Sequence, residues 1–183
     1  NIPVPWFAPI NSVRELHEVI RGHGYPMVLK PVDNCGARGV LRLTPDVDLE
    51  WAYRTSKKYS RTGRVIIERF LLGPQISTES IVLNKSAYTP GFSDRNYEYL
   101  ERYSPYIIEN GGDLPSCLSS KSQQAVRDLV QHAALSMGVT VGVVKGDVVI
   151  HEGIPHIIEL AARLSGGYFS THTIPSAEAT CAN

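Results

Sequence analysis

The sequence lacks an excess of either charge. Its 18 Lys and Arg are matched by 18 Asp and Glu, so the net charge is zero, with a pI near 7.2. That balance gives no electrostatic support for nucleic acid or an anionic membrane as the main partner. No apolar run approaches the ~20 residues needed to span a bilayer. The opening segment, NIPVPWFAPI, has neither the basic start nor the apolar stretch of a secretory signal. Cysteine is scarce: Cys35, Cys117 and Cys181 are odd in number and widely spaced. They form neither a disulfide framework nor a zinc pattern, which points to a reducing cytoplasm. Cys35, inside a glycine loop, reads either as a small tolerated loop residue or as a reactive thiol. Repeats and low-complexity tracts are absent. There is no initial methionine, the first residues are Pro-rich, and the last, SAEATCAN, form no recognisable closing element. We therefore expect a fragment, or the ordered part, of a longer protein.

What is present is 183 residues, 20.2 kDa, enough to bury a core as one domain or two small lobes. The most informative stretch is PMVLKPVDNCGARGV, residues 26 to 40. A short apolar run ends in Lys30 and Pro31 and breaks into a loop containing Gly36, Ala37, Arg38 and Gly39. Glycine tolerates the backbone angles and close approach by which main-chain N–H groups cradle a phosphate. A second cluster, GVVKGDVVIHEGIPHIIELAARLSGG at residues 142 to 167, supplies spaced carboxylates and a further arginine. Phosphate-binding and metal-binding halves in one chain suggest a nucleotide enzyme.

The pattern predicts a first helix over residues 12–21, capped by Ser12 with Glu15 and ended by Gly22 and Gly24. Strands are predicted over 26–30 and 40–43. Thr44, followed by Pro45, reads as the N-cap of a helix running through Trp51 and Tyr53 towards Tyr59. A strand over 64–70 ends at Gly73 and Pro74. From Ile76 to Leu83 apolar and polar residues alternate, so that Glu79 points away from Ile76. Residues 84–116 read as a long polar, aromatic loop. A helix from Ser119 or Ser120 to Met137 follows, with Val126, Val130, Ala133 and Met137 on one face and Gly138 as its stop. A hairpin of strands 142–150 and 156–160, joined by His-Glu-Gly-Ile-Pro, closes the pattern. Mixed helices and antiparallel hairpins make the class α+β, with a small lobe over residues 1–70 and a larger one over 71–183.

Residues two apart on a strand share a face, so Lys145 and Asp147 point the same way, as do Glu159 and Ala161. Asp147 and Glu159 on neighbouring strands can converge on one or two hard cations, with Mg²⁺ the expected ion. The plain alternative is a cross-strand ion pair such as Asp147 with Arg163. The apolar residues around them mark a mostly buried hairpin, in which carboxylates need partners.

Five features recur in order: KP followed by GARG, then IIERFLLG, a strand carrying Glu79, VVKGD, and IIELAARLSGG. Together they resemble the ATP-grasp superfamily, whose members include carbamoyl-phosphate synthetase, biotin carboxylase, D-alanine–D-alanine ligase and the L-amino acid ligases. The loop is not a Walker loop, because no lysine and hydroxyl follow its second glycine. The resemblance implies an ATP-grasp fold: two α+β lobes with the nucleotide between them. It implies ATP with Mg²⁺, or Mn²⁺ in its place. Lys30 would reach the α-phosphate and the adenine edge. Gly36, Ala37 and Gly39 would close over the β- and γ-phosphates, with Arg38 either assisting or simply exposed. Glu68, Arg69, Phe70 and Leu71 would form the strand on which adenine rests, with main-chain pairing from Arg69 and Leu71 and Glu68 accepting from the amino group. Asp147 and Glu159 would hold the metal. Arg163 would stabilise charge on the transferring phosphoryl group. Lys145 would bind a phosphate or a substrate carboxylate, or be a plain surface lysine.

The sequence also departs from the family pattern. Gln75 stands where many members carry a ribose-binding glutamate, and Ala161 where an asparagine is commonly the third metal ligand. The usual upstream lysine belongs to a preceding domain. ELAARLSGG is most like ligases that join a carboxylate to an amine, and KPVDNCGARGV is closest to the carbamoyl-phosphate synthetase group. The implied activity is an ATP-dependent carbon–nitrogen ligase acting on small-molecule carboxylate and amine substrates, with a homodimer among its expected states. The other reading, motivated by Gln75 and Ala161, is a module that holds a nucleotide without turnover. Asp94 to Tyr97, and the turn Glu109-Asn110-Gly111-Gly112-Asp113, read either as a border of the substrate cavity or as ordinary polar loop. His172 reads as a cavity residue or a structural one.

Overall fold

The computed structural model describes residues 1–166 and 168–176. Gly167 of the last motif, Cys181 and the rest of the SAEATCAN ending beyond Ser176 lie outside the described residues. The chain divides into two compact units. The first comprises Pro5–Phe70 and Tyr97–Asn110; the second comprises Asn1–Val4, Leu71–Asn96 and the described residues from Gly111 onward. Two short segments thus cross a boundary drawn at residue 70. The Ile157 N–H donates to the Pro3 carbonyl, which ties the first residues to the second unit. Residues 97–110 join the first through an Arg42 N–H to Pro105 bond at 2.7 Å and an Arg42–Glu101 ion pair at 2.6 Å.

The first unit runs β1 (Phe7–Ile10), α1 (Val13–His23), β2 (Met27–Pro31), β3 (Leu41–Leu43), α2 (Leu49–Tyr59) and β4 (Val65–Arg69), with an antiparallel sheet in the order β1-β4-β2-β3. Ser12 caps α1 through the Glu15 N–H at 3.2 Å, as expected. The Glu15 carboxylate reaches back one residue further, to the Asn11 N–H at 2.9 Å. The second helix begins four residues later than Thr44-Pro45 suggests. Thr44 closes a turn with the Val47 N–H, and the stronger acceptor Asp48 caps the helix through the N–H groups of Glu50 and Trp51. Leu16 and Ile20, Ala52 and Tyr53 pack on Met27, Leu29, Leu41, Leu43, Val65 and Ile67. The helices therefore cover one face of the sheet and leave the other to Val28, Lys30, Ile66 and Glu68.

The second unit contains β5 (Gln75–Leu83), β6 (Ser86–Arg95), β7 (Gly112–Asp113), α3 (Ser120–Ser136), β8 (Gly142–His151) and β9 (Ile154–Ala161), in sheet order β7-β6-β5-β8-β9. β6 corrects the expected long loop. The chain reverses in two residues, Asn84 and Lys85, both at positive φ, a hairpin turn made without glycine. Pro90 and Gly91 sit inside the strand, where the register shifts between Glu79 and Ile81. A Cβ at Gly91 would lie 2.5 Å from Ile174 Cδ1 and 2.9 Å from Glu79 Cβ, so glycine there reflects close packing. The β8–β9 reversal is also tighter than five residues: Glu152 and Gly153 turn the chain, and His151 pairs with Ile154. α3 packs Val126, Leu129, Val130 and Ala133 on Ile76, Phe92, Val148 and Ile157. The opposite face carries Ser77, Ser93, Glu79, Lys145, Asp147 and Glu159, with Val149 beside them.

Candidate functional site

In the first unit the helix-free face carries an ion pair. Lys30 pairs with Ile66 in register, and Glu68 lies two residues along β4 on the same face. Lys30 Nζ is 2.8 Å from Glu68 Oε2, and the two side chains are only 19% and 12% exposed. The Arg69 N–H donates to the Trp6 carbonyl at 2.8 Å and the Phe70 N–H to that of Pro26 at 3.3 Å. The Arg69 N–H is thereby committed within the fold. Phe70 is buried beneath the Arg42 guanidinium, 5.0 Å from the ring centroid, and Leu71 is half-buried.

The glycine loop is fastened at its base and exposed at its tip. Gly36, Ala37 and Gly39 all have positive φ, at 67°, 55° and 78°. Asn34 Nδ2 donates to the Tyr59 carbonyl at 2.8 Å, tethering the loop to the end of α2. Ser56 Oγ donates to the Gly39 carbonyl at 2.6 Å, and a Cβ at Gly39 would lie 2.8 Å from Tyr59 Cβ. Arg38 is exposed and folds back, with Nε on the Cys35 carbonyl at 3.1 Å and Nη2 3.2 Å from its sulfur. Asp33, just before the loop, accepts from the Ser60 hydroxyl and from the Thr62 and Arg61 N–H groups. Those bonds, led by Ser60, hold its carboxyl down to about 2.

In the second unit, strand register sorts the polar face into rows. Ser93, Ser77, Asp147 and Glu159 stand in line across β6, β5, β8 and β9; Gly91, Glu79, Lys145 and Ala161 form the next row. Arg95 and Gln75 pair beyond the serines. A bulge on β9 sets two residues against one between Asp147 and Val148, and brings Glu159 directly opposite Asp147. Asp147 is buried. Its Oδ1 lies 3.1 Å from Arg95 Nη1 and 3.4 Å from Ser77 Oγ, and its Oδ2 bonds to Lys145. The cross-strand alternative of Asp147 with Arg163 is replaced by these two cations. Arg163 is exposed, and its Nη1 donates to the Leu164 carbonyl at 3.0 Å; Glu159 is exposed as well.

Arg95 lies in the segment 94–97 that reads as a cavity border or polar loop, and the pairing of β6 with β5 gives it a strand position beside Asp147. The part played by Ser77 and the burial of Glu79 have no sequence signal. Asp94 accepts from the Cys117 N–H at 2.7 Å, Asn96 Nδ2 donates to Asp113 at 3.1 Å, and Asn110 Oδ1 accepts from the Glu98 N–H at 3.0 Å. These residues brace the chain locally. His172 is exposed and bonds to the neighbouring Thr171 hydroxyl at 2.8 Å.

A family model described as an ATP-grasp domain matches residues 1–167. The chain belongs to the ATP-grasp family. It is 24% identical over 167 residues to the carbamoyl phosphate synthase large chain of Methanocorpusculum labreanum, covering 90% of this chain and 15% of that protein. Among solved structures, the L-amino acid ligase from Bacillus licheniformis superposes with a TM-score of 0.72 at 22% identity, over 95% of this chain and 39% of that one. The biotin carboxylase domain of the Hydrogenobacter thermophilus 2-oxoglutarate carboxylase, solved with MgADP and bicarbonate, gives 0.70 at 20% identity, over 91% and 38%. The ATP-grasp chain thus spans about 15% of the length of that curated relative and under two fifths of these solved chains. Asp147 and Glu159 are hard oxygen donors on adjacent strands, and one or two carboxylates with nucleotide phosphates are what Mg²⁺ takes. No group of three His, Cys, Asp or Glu residues suited to a metal gathers among the described residues. The donor set of this ATP-grasp chain therefore fits a Mg²⁺ shared with a nucleotide.

Proposed function

We propose that this chain is the nucleotide-handling part of an ATP- and Mg²⁺-dependent ligase that activates a carboxylate for attack by an amine. The observation that carries the reading is Asp147, buried between Lys145 and Arg95 and directly opposite Glu159, on the polar sheet face of an ATP-grasp chain. A buried carboxylate flanked by two cations, with a second carboxylate across the strand, suits a site where anionic phosphates and a hard cation come and go. Asp147 and Glu159 would hold Mg²⁺, which when bound neutralises phosphate charge. Lys30 would bind the α-phosphate and adenine edge, and Glu68 would accept from the adenine amino group. Leu71 would supply main-chain contact to the base beside Arg69 and Phe70, and Gln75 would bond the ribose. The positive-φ run Gly36–Gly39 would present N–H groups to the outer phosphates, with Arg38 released from Cys35 to assist. Arg163 and Lys145 would stabilise the charge that builds on the transferring group.

In the reaction, a substrate carboxylate oxygen attacks the γ-phosphorus and ADP leaves. The amine then attacks the acyl carbon, and phosphate and a proton depart. Glu159→Gln and Arg163→Ala in the intact protein are each expected to abolish substrate-dependent ADP release. Full activity in both variants would overturn the reading. A module that binds nucleotide without turnover is the second reading, favoured by Ala161 standing where a third donor is expected. Calorimetric titration of Mg-ATP beside a coupled ADP assay separates the two.

A further inference from the structure

Positive charge on the polar face of the second unit is gathered at one carboxylate and withheld from another. Asp147 has both oxygens engaged: Oδ1 with Arg95 Nη1 at 3.1 Å and Ser77 Oγ at 3.4 Å, Oδ2 with Lys145. Glu79 is 3% exposed, and its Oε1 accepts the Ser165 N–H. Its Oε2 is buried without a hydrogen-bond partner among the described residues. Yet Lys145 stands directly across the β5–β8 ladder from Glu79, where opposed side chains are nearest neighbours. The ammonium passes over that carboxylate and bonds to Asp147, two residues along its own strand. A buried acceptor left unmatched costs stability, and a carboxylate most of all. The arrangement favours Asp147 beyond what the fold by itself requires.

What Asp147 holds is two positive charges, the number that a divalent cation carries. Two cations stand against two carboxylates, Asp147 and the exposed Glu159 opposite it. A divalent ion arriving alone therefore meets a cluster whose charges are already matched. To reach Asp147 it must displace both bonds and leave both cations beside it, where burial strengthens the repulsion between like charges. Phosphate oxygens change that balance. They accept charge-assisted hydrogen bonds from ammonium and guanidinium groups. Lys145 and Arg95 then gain new acceptors, and the Asp147 oxygens are released.

We propose that Lys145 and Arg95 stand in for the metal at Asp147, so that the carboxylate accepts Mg²⁺ only once phosphates have drawn the two cations away. Both are positioning residues for the metal, and Arg95 is a member of the site that no motif marks. The inference rests on the Mg²⁺ reading of Asp147 and Glu159 and adds an order of loading to it. Mn²⁺ is titrated into the intact protein without nucleotide and again with saturating ADP. The free ion is followed by electron paramagnetic resonance.

Without nucleotide, Lys145→Met and Arg95→Met are each expected to tighten Mn²⁺ binding about tenfold, since each removes a cation that competes for Asp147. With ADP bound, that gain should shrink to about twofold or less, because the phosphates have already taken the cations. Lys145→Arg, which keeps the charge, should bind Mn²⁺ alone as weakly as the parent. Asp147→Asn and Glu159→Gln, the controls, should weaken Mn²⁺ binding with ADP present. Either neutral variant binding Mn²⁺ alone no more tightly than the parent would overturn the proposal, as would a gain of equal size with ADP bound. Should Arg95→Met not fold, Lys145→Met decides. Tight binding by Lys145→Arg would also overturn it, by tracing the hold to shape and not to charge. If such a result comes with Mn²⁺ lost from both controls, the metal reading stands and only the order of loading falls. If both controls bind Mn²⁺ with ADP as the parent does, the metal reading itself fails, and the proposal with it.

Discussion

The polar faces of the two sheets are built on opposite plans. In the first unit, charge is balanced one to one: Lys30 meets Glu68 and Arg42 meets Glu101, although the Arg42 Nε is buried without a hydrogen-bond partner. In the second, Asp147 has two cations while Glu79, one row away, has none. A fold stabilised for its own sake would share those cations, because an unmatched buried charge costs more than a mediocre pair returns. The uneven arrangement suits a surface completed by what it binds. The first face would position a ligand; the second would compensate it.

The comparison breaks most visibly at Asp147. Replacing it with Ala takes a buried carboxylate away from two mostly buried cations, since the Lys145 and Arg95 side chains are only 14% and 18% exposed. Asp147→Ala is expected to lower unfolding stability by about 3 kcal/mol, read as the shift in urea midpoint. Lys145→Met, combined with Asp147→Ala, should recover part of the loss by removing one stranded cation. A single variant that unfolds like the parent would mean that the cluster is not under electrostatic load.

Lys30→Met provides the milder counterpart in the first unit. It leaves one mostly buried charge, Glu68, without its cation, where Asp147→Ala removes the carboxylate shared by two, so about 2 kcal/mol of stability should go. Affinity for an ATP analogue should fall roughly tenfold, the loss of one charged phosphate contact at about 1.4 kcal/mol. If the analogue binds unchanged while stability drops, the pair serves only the fold, and the contrast between the faces disappears.

Much of this was readable in advance wherever the deciding interaction is local. Period-two alternation put Glu79 opposite Ile76 and Lys145 beside Asp147, and the cap at Ser12 fixed the start of α1. Where the reading missed, a longer-range contact decided. Gly91 looks like a breaker until Ile174 and Phe169 are seen packed against it, so β6 was read as loop and the direction of Arg95 was lost. Asn84 and Lys85 turn a hairpin without glycine, because the pairing of β5 with β6 holds both at positive φ. Thr44-Pro45 was outcompeted by Asp48, the stronger cap. The orphaned oxygen of Glu79 has no sequence signature, since it depends on where Lys145 sends its charge and on Ser165, 86 residues away.

The smallest expected effect tests whether the first unit's glycine loop is held by its base. Asp33 accepts from Ser60, Thr62 and Arg61, and its carboxyl is held down to about 2, below the ordinary value near 3.8. A depressed carboxylate stabilises the fold above the unfolded value, and that contribution is lost as pH falls through the folded one. The window is therefore pH 4 down to pH 2. Since Asp33 is solvent-accessible the gain is small, and Asp33→Asn should lower Tm by a few degrees at most. The difference between parent and variant should be constant above pH 4, shrink through the window, and vanish near pH 2. Hydrogen exchange at Asn34 and Cys35 should rise in Asp33→Asn at pH 6 while exchange in β8 is unaffected. A Tm difference that persists undiminished to pH 2 would show that the side chain's shape, and not its charge, fastens the loop.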